Sequence, residues 1–241
     1  MICCHLLKKM KIRQNIQSYI IKSHTRVMTS RRHYVLSESI SVFLKDRMPD
    51  NVQLQTVLQQ IEKRIPQHLL YGVDAIYVGQ FKDLIDRSVN AIYDNGAIYV
   101  TNLQDNNEDL LDDLIHEIAH AVENTYGYEV YADGLLENEF LGKRMKMKYL
   151  LKHEGYPVEK YDFFDVEYTK EFDDFLYKDV GYVKLNNLTG HLFASAYGAT
   201  SLREYFANGF EHYYLFNSRH ISQTSPVLFS KIQLLHSLEE N

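Results

Sequence analysis

The sequence predicts an α+β fold. Three observations carry this: short apolar, β-branched and aromatic runs between positions 75 and 101, an Asp-Asn-Gly turn between two of them, and a helix directly behind them with apolar residues at helical spacing. A chain of 241 residues can bury a sizeable single core. With 45% hydrophobic and 24% charged residues, composition excludes a disordered chain. No apolar run reaches the ~18 residues of a membrane helix. The only cysteines, Cys3 and Cys4, are adjacent, which excludes a disulfide-stapled fold and a multi-cysteine metal module. Lys8 and Lys9 interrupt the apolar start, so no secretory signal is expected, and a reducing cytoplasm is the expected setting.

From the N-terminus, residues 1–37 carry eight basic side chains and no acidic one, whereas the whole chain is net −6. A basic arm therefore precedes an acidic body. Such an arm suits an acidic partner, nucleic acid or targeting, or is a solvated amphipathic helix. The acidic body argues against nucleic acid as the main ligand. The stretch up to residue 66 contains no glycine and reads as helical, with helices over about 39–47 and 52–64, the latter stopped by Pro66.

Ala75-Ile76-Tyr77-Val78 is a strand closed by Gly79. A short helix over about 81–90 follows. Ala91-Ile92-Tyr93 and Ala97-Ile98-Tyr99-Val100-Thr101 then form a hairpin about Asn95-Gly96, a pair that tolerates positive φ. The long helix runs from about Asn107 to Tyr126, with Asn106 to Asp109 suited to its start and Gly127 to its end. Residues 135–190 are mixed, with helical stretches near 136–153 and 167–177. The last helices are expected over about 201–216 and 226–238.

The long helix contains His116-Glu117-Ile118-Ala119-His120. At about 100° per residue, positions four apart lie about 40° apart around the axis, so both imidazoles leave one face and can bind one zinc ion. Glu117 sits where its carboxylate can reach a metal-bound water. Leu111, Leu114, Ile115, Ile118 and Val122 form a separate apolar stripe, which seats the helix on the core and leaves the histidines in a cleft. Asp112 and Asp113 adjoin His116 and suit partners of the metal ligands, but read rather as solvated positions, and Lys143, Arg144, Lys146 and Lys148 read as an exposed helix face rather than a substrate-binding one.

A catalytic zinc takes a third protein ligand. In Ser201-Leu202-Arg203-Glu204, Glu204 suits either a ligand or the acidic half of a capping box, and spacing alone does not separate the two. Asn208, one turn on, suits orienting a ligand. His191, His212 and His220 are further possible ligands.

These segments resemble the gluzincin metallopeptidases, more narrowly the peptidase domain of anthrax lethal factor-type proteins. The resemblance rests on His116-Glu117-Ile118-Ala119-His120-Ala121-Val122 with Tyr126-Gly127-Tyr128, and on Tyr197-Gly198 followed at the family's offset by Glu204-Tyr205-Phe206-Ala207 and Phe210. It covers about 97–128 and 193–212. It implies a zincin-like domain with a small twisted, mostly antiparallel sheet, an active-site helix and one bound Zn2+. Carried over by position, His116, His120 and Glu204 are the zinc ligands, Glu117 is the general base, and Tyr197 hydrogen-bonds the developing oxyanion. Asn208 stands where the family commonly has an acidic residue. The longer separation of His120 and Glu204 marks 135–190 as an inserted subdomain.

The division expected is a basic arm over 1–33, a helical accessory segment over 34–66 and a zincin-like catalytic domain over 67–241. The function expected is zinc-dependent endopeptidase. The peptide or protein substrate would lie along Ala97–Thr101, taken as the exposed sheet edge. The alternative is a catalytically inactive zinc-stabilised structural or binding module in a larger assembly.

Overall fold

The computed structural model describes residues 33–190, 192–216 and 218–238. The basic arm, apart from its last residue, lies outside them. Five strands form one sheet: β1 (His33–Leu36), β2 (Ile40–Leu44), β3 (Ala75–Val78), β4 (Ala91–Asp94) and β5 (Ala97–Val100), in the spatial order β1-β2-β3-β5-β4. The outer pairs are antiparallel and the central strands β2, β3 and β5 are parallel. The sheet is therefore mixed, not mostly antiparallel.

The expected helix over 39–47 is instead β2, hairpinned to β1. Its period is two: Ile40 and Val42 are buried, while Phe43 is exposed. The turn places Ser37 and Glu38 at φ 49° and 62°, and the Ser37 N–H donates to the Glu62 carboxylate at 2.7 Å. Residues 34–66 are thus not a helical accessory segment. They complete the sheet and add α1 (Leu54–Arg64), whose Leu54, Val57, Leu58 and Ile61 are buried.

The Asn95-Gly96 turn forms as its sequence dictates, with φ 45° and 88°, both central residues positive as a type I′ hairpin requires. The short helix before β4 is α2 (Lys82–Arg87). β5 is not an edge: β3 pairs with one side and β4 with the other. The expectation of an edge at Ala97–Thr101 fails because the returning strand of the hairpin inserts beside β3 and leaves its partner β4 outside.

Val42, Ile76, Val78, Ile98 and Val100 are buried in the core on one sheet face. The helix α3 (Asn107–Tyr131) packs there, and all five residues of its expected apolar stripe are buried. Asn106 caps its start, accepting from the Asp109 N–H at 2.9 Å. Gly127 does not end it. The helix is interrupted at Tyr126 (φ −115°, ψ 25°) but continues to Tyr131, because Gly127 does not adopt the left-handed conformation. Its last turn is tied down by Lys231, which donates to the Glu129 carbonyl and the Asp133 carboxylate, both at 2.8 Å.

Residues 135–190 hold α4 (Leu135–His153), α5 (Lys170–Asp174), a π-helical turn over Phe175–Val180 and α6 (Tyr182–Thr189). Two cations expected on an exposed face are buried. Arg144 is 1% exposed, with its guanidinium 4.1 Å from the Phe172 ring centroid, and it donates to the Asp165 carbonyl. Lys143 donates to Ser225 Oγ at 2.5 Å and lies over the Tyr205 ring. The long apolar stems of these residues let a helix bury them provided their heads find partners. The chain closes with α7 (Leu202–Leu215), α8 (Ser218–Thr224) and α9 (Pro226–His236). The α7 helix packs on α3. No described helix is long and apolar enough to cross a membrane.

Candidate metal centre

Two helices far apart in sequence meet at the site. The α3 helix projects His116 and His120 from one face, with ring centroids 5.1 Å apart. The α7 helix delivers Glu204 in its first turn. Ser201 caps that helix, accepting from the Glu204 N–H at 3.2 Å, while the Glu204 side chain turns to the histidines. Glu204 Oε2 is 3.0 Å from His116 Nε2, and Oε1 is 3.7 Å from His120 Nε2. The three donor atoms lie within 4.8 Å of one another and can hold a metal ion. Ligand bonds of about 2.0–2.2 Å in a tetrahedron put ligand atoms roughly 3.4 Å apart, the separation that the two measured contacts bracket.

Each histidine is held on its other nitrogen by a carboxylate. His116 Nδ1 is 3.2 Å from Glu211, one helical repeat beyond Glu204 on the same face of α7. His120 Nδ1 is 3.4 Å from Glu123. Glu123 in turn accepts from Tyr131 at 2.5 Å and Arg203 at 2.8 Å. Such partners fix the ring orientation and raise ligand basicity. Glu211 and Glu123 are not evident from the motif alone, although spacing offers a signal: Glu123 follows His120 by three positions and Glu211 follows Glu204 by seven.

Asn208 does not touch a histidine. It accepts from Ser195 Oγ, which also receives the Gly198 N–H at 3.4 Å. Its role is to hold the loop that carries Tyr197, whose ring lies 6.3 Å from that of His116. Asp112 and Asp113 are not fully solvated: Asp112 shares a hydrogen bond with Glu211, and Asp113 accepts from Gln104 at 2.8 Å. Of the further histidines considered, His212 and His220 stand beside each other outside this group, and His191 lies outside the described residues.

Burial disfavours charge on His116, but the hydrogen bonds of Glu204 and Glu211 outweigh it and raise the metal-free imidazolium to about 10. Burial also opposes charge on Glu204, yet His116 and His120 hold its carboxyl below the ordinary value. Burial pushes Glu117 up, the direction that makes a carboxylate a better proton acceptor, with the histidines opposing. Burial and the neighbouring Glu204 push the Tyr197 hydroxyl up, so it remains a donor.

The cleft in front of these residues has a volume of about 360 Å3, with Ala91, Glu117, Tyr197 and Glu211 among its walls. Its rim is β4, the sheet edge on this side, as β1 is on the other. Thr101 N–H donates to the Asn90 carbonyl at 2.7 Å, so Asn90 faces β5. By the alternation of an antiparallel pair, Ala91 and Tyr93 then turn their backbone groups outward. The outward Tyr93 N–H donates to the Glu117 carboxylate.

Comparison with protein-family models, curated proteins and solved structures finds no match to this chain.

Proposed function

We propose that the protein is a zinc-dependent endopeptidase. The observation that carries this reading is the convergence of His116, His120 and Glu204 within 4.8 Å, with Glu117 between the histidine pair and the outward edge of β4. Two imidazoles and one carboxylate form the three-ligand N/O set of a catalytic zinc, which leaves a fourth position open. Zinc bound there would polarise a carbonyl and acidify a water.

The chain's own residues supply the rest. Glu117 takes the proton from the attacking water and passes it to the leaving amine. The Tyr197 hydroxyl, kept protonated, donates to the oxygen on which charge develops. The outward backbone groups of β4 other than the Tyr93 N–H, which Glu117 takes, pair with an extended substrate, so β4 replaces Ala97–Thr101 as the docking strand. Glu211 and Glu123 hold the two imidazoles, and Asn208 holds the loop of Tyr197.

Digestion of a peptide library, read by mass spectrometry, tests the proposal. Cleavage abolished by a chelator and restored by zinc is the expected result. One tightly bound zinc per chain without any cleavage would sink the enzyme reading and leave a zinc-stabilised module.

A further inference from the structure

The edge strand β4 has a cavity on each of its faces. On the α3 side lies the metal cleft, with Ala91 in its wall. On the other side a groove of about 800 Å3 lies beside α2, with Phe81, Ile92 and Tyr99 in its lining. The pleat makes this division. Ala91 and Tyr93 pair with the buried Val100 and Ile98, whereas Ile92 pairs with Tyr99 on the opposite face.

The groove is shaped for a ring. Phe43 and Tyr77 stack at 5.3 Å, and Tyr77 and Tyr99 at 5.2 Å, with interplanar angles of 17° and 16°. Tyr99 meets Tyr77 on its β3 side, so its other ring face turns toward β4. Phe81 meets Tyr99 edge-on, at 5.2 Å and 77°, and the two rings form a corner. The next member of the row is Ile92, an aliphatic side chain, so the rings stop one strand short of the edge. The four charges that α2 brings to the mouth, Lys82 and Arg87 against Asp83 and Asp86, cancel, so a charged ligand is not favoured there.

A peptide laid along β4 sends alternate side chains to alternate faces of the sheet. The peptide residue opposite Ile92 has its Cβ about 5 Å from that of Ile92 and on the groove side. The residues on either side of it in the peptide face Glu117 and the metal cleft.

We propose that this groove is a specificity subsite for an aromatic side chain of the substrate, carried by the residue opposite Ile92. The inference rests on the endopeptidase reading and adds a substrate class to it. The ring extends the aromatic row over Ile92 into the corner of Tyr99 and Phe81, where offset or edge-on contacts are available. The subsite lies across the sheet from the metal centre, so it selects the peptide without touching the reacting atoms.

Peptide libraries randomised one position at a time, digested by the zinc-loaded full chain and read by mass spectrometry, test the proposal. At one position kcat/KM should be at least about tenfold higher with Phe or Tyr than with Ala. Any preference set in the metal cleft should fall an odd number of residues away, because the two cavities lie on opposite faces. Ile92→Trp fills the groove and should bring the Phe-to-Ala ratio at that position close to one, with the preference on the cleft side retained. Should Ile92→Trp unfold, Tyr99→Ser, which removes the corner, should lower the same ratio about threefold or more. Cleavage in which no position favours an aromatic residue, or in which the preference survives these substitutions, overturns the subsite and leaves the peptidase reading standing. No cleavage of any library member overturns that reading, and the subsite with it.

Discussion

The Glu117 carboxylate accepts a hydrogen bond from the backbone N–H of Tyr93 at 2.5 Å, tying the acid beside the first histidine to the outward side of the edge strand. The bond aims one carboxylate oxygen and leaves the other for the cleft. Glu117→Gln preserves an oxygen for Tyr93 and removes the proton acceptor. Cleavage should fall by at least about a hundredfold, with zinc content unchanged by elemental analysis. Wild-type cleavage by this variant would disprove the base assignment.

Glu211 and Asn208 lie on the same helix but act on different parts of the site. Glu211→Gln, which loosens His116, should weaken zinc about 10- to 100-fold in a competitive chelator titration. Asn208→Ala should leave zinc affinity near wild type, because its hydrogen bond goes to Ser195 and the Tyr197 loop. Equal losses in both variants would contradict this division.

Tyr197→Phe removes one donor and keeps the ring beside His116. The turnover number kcat should drop by roughly one to three decades, with zinc content and KM little changed. An unaltered kcat would reduce Tyr197 to a packing role.

Lys143 offers a pH signature far from the metal. Burial lowers its pKa to about 8, against roughly 10.4 for an unfolded lysine. The folded state therefore disfavours its charge. The cost is present in full below pH 8 and disappears as pH rises toward 10.4. Lys143→Met should stabilise the protein by about 2 kcal/mol at pH 7, and its advantage in thermal melts should vanish by about pH 10. An advantage that is constant with pH would mean the ammonium is adequately paired by Ser225 and the Tyr205 ring.

Much of the fold was legible where one residue type decides a conformation. Asn95-Gly96 specified its turn, and Leu111 to Val122 specified which side of α3 faces the core. The hairpin of β1 and β2 was hidden because its turn uses Ser37 and Glu38 at positive φ, residues that do not advertise it, and because a side chain of α1 secures it. Gly127 misled in the opposite way: a glycine permits a helix end without imposing one. Within the site, the histidine pair and Glu117 follow from local spacing and Glu204 from the resemblance. Glu211 and Arg203 meet His116 and Glu123 only when α7 is laid against α3, a contact that spacing within one helix does not fix, and Tyr131 reaches Glu123 from two turns further along α3.

The exposed rim of β4 has one more implication. A main-chain ladder is blind to side-chain identity, since every residue but proline offers the same amide and carbonyl. On the proposed reading, selectivity would fall to side chains beyond the strand, and Tyr197 is placed for it: Tyr182 lies 6.4 Å from its ring and shares the Asp173 carboxylate with Tyr168. Substitutions at Tyr182 that keep the strand should then alter which peptides are cut without rebuilding the metal centre.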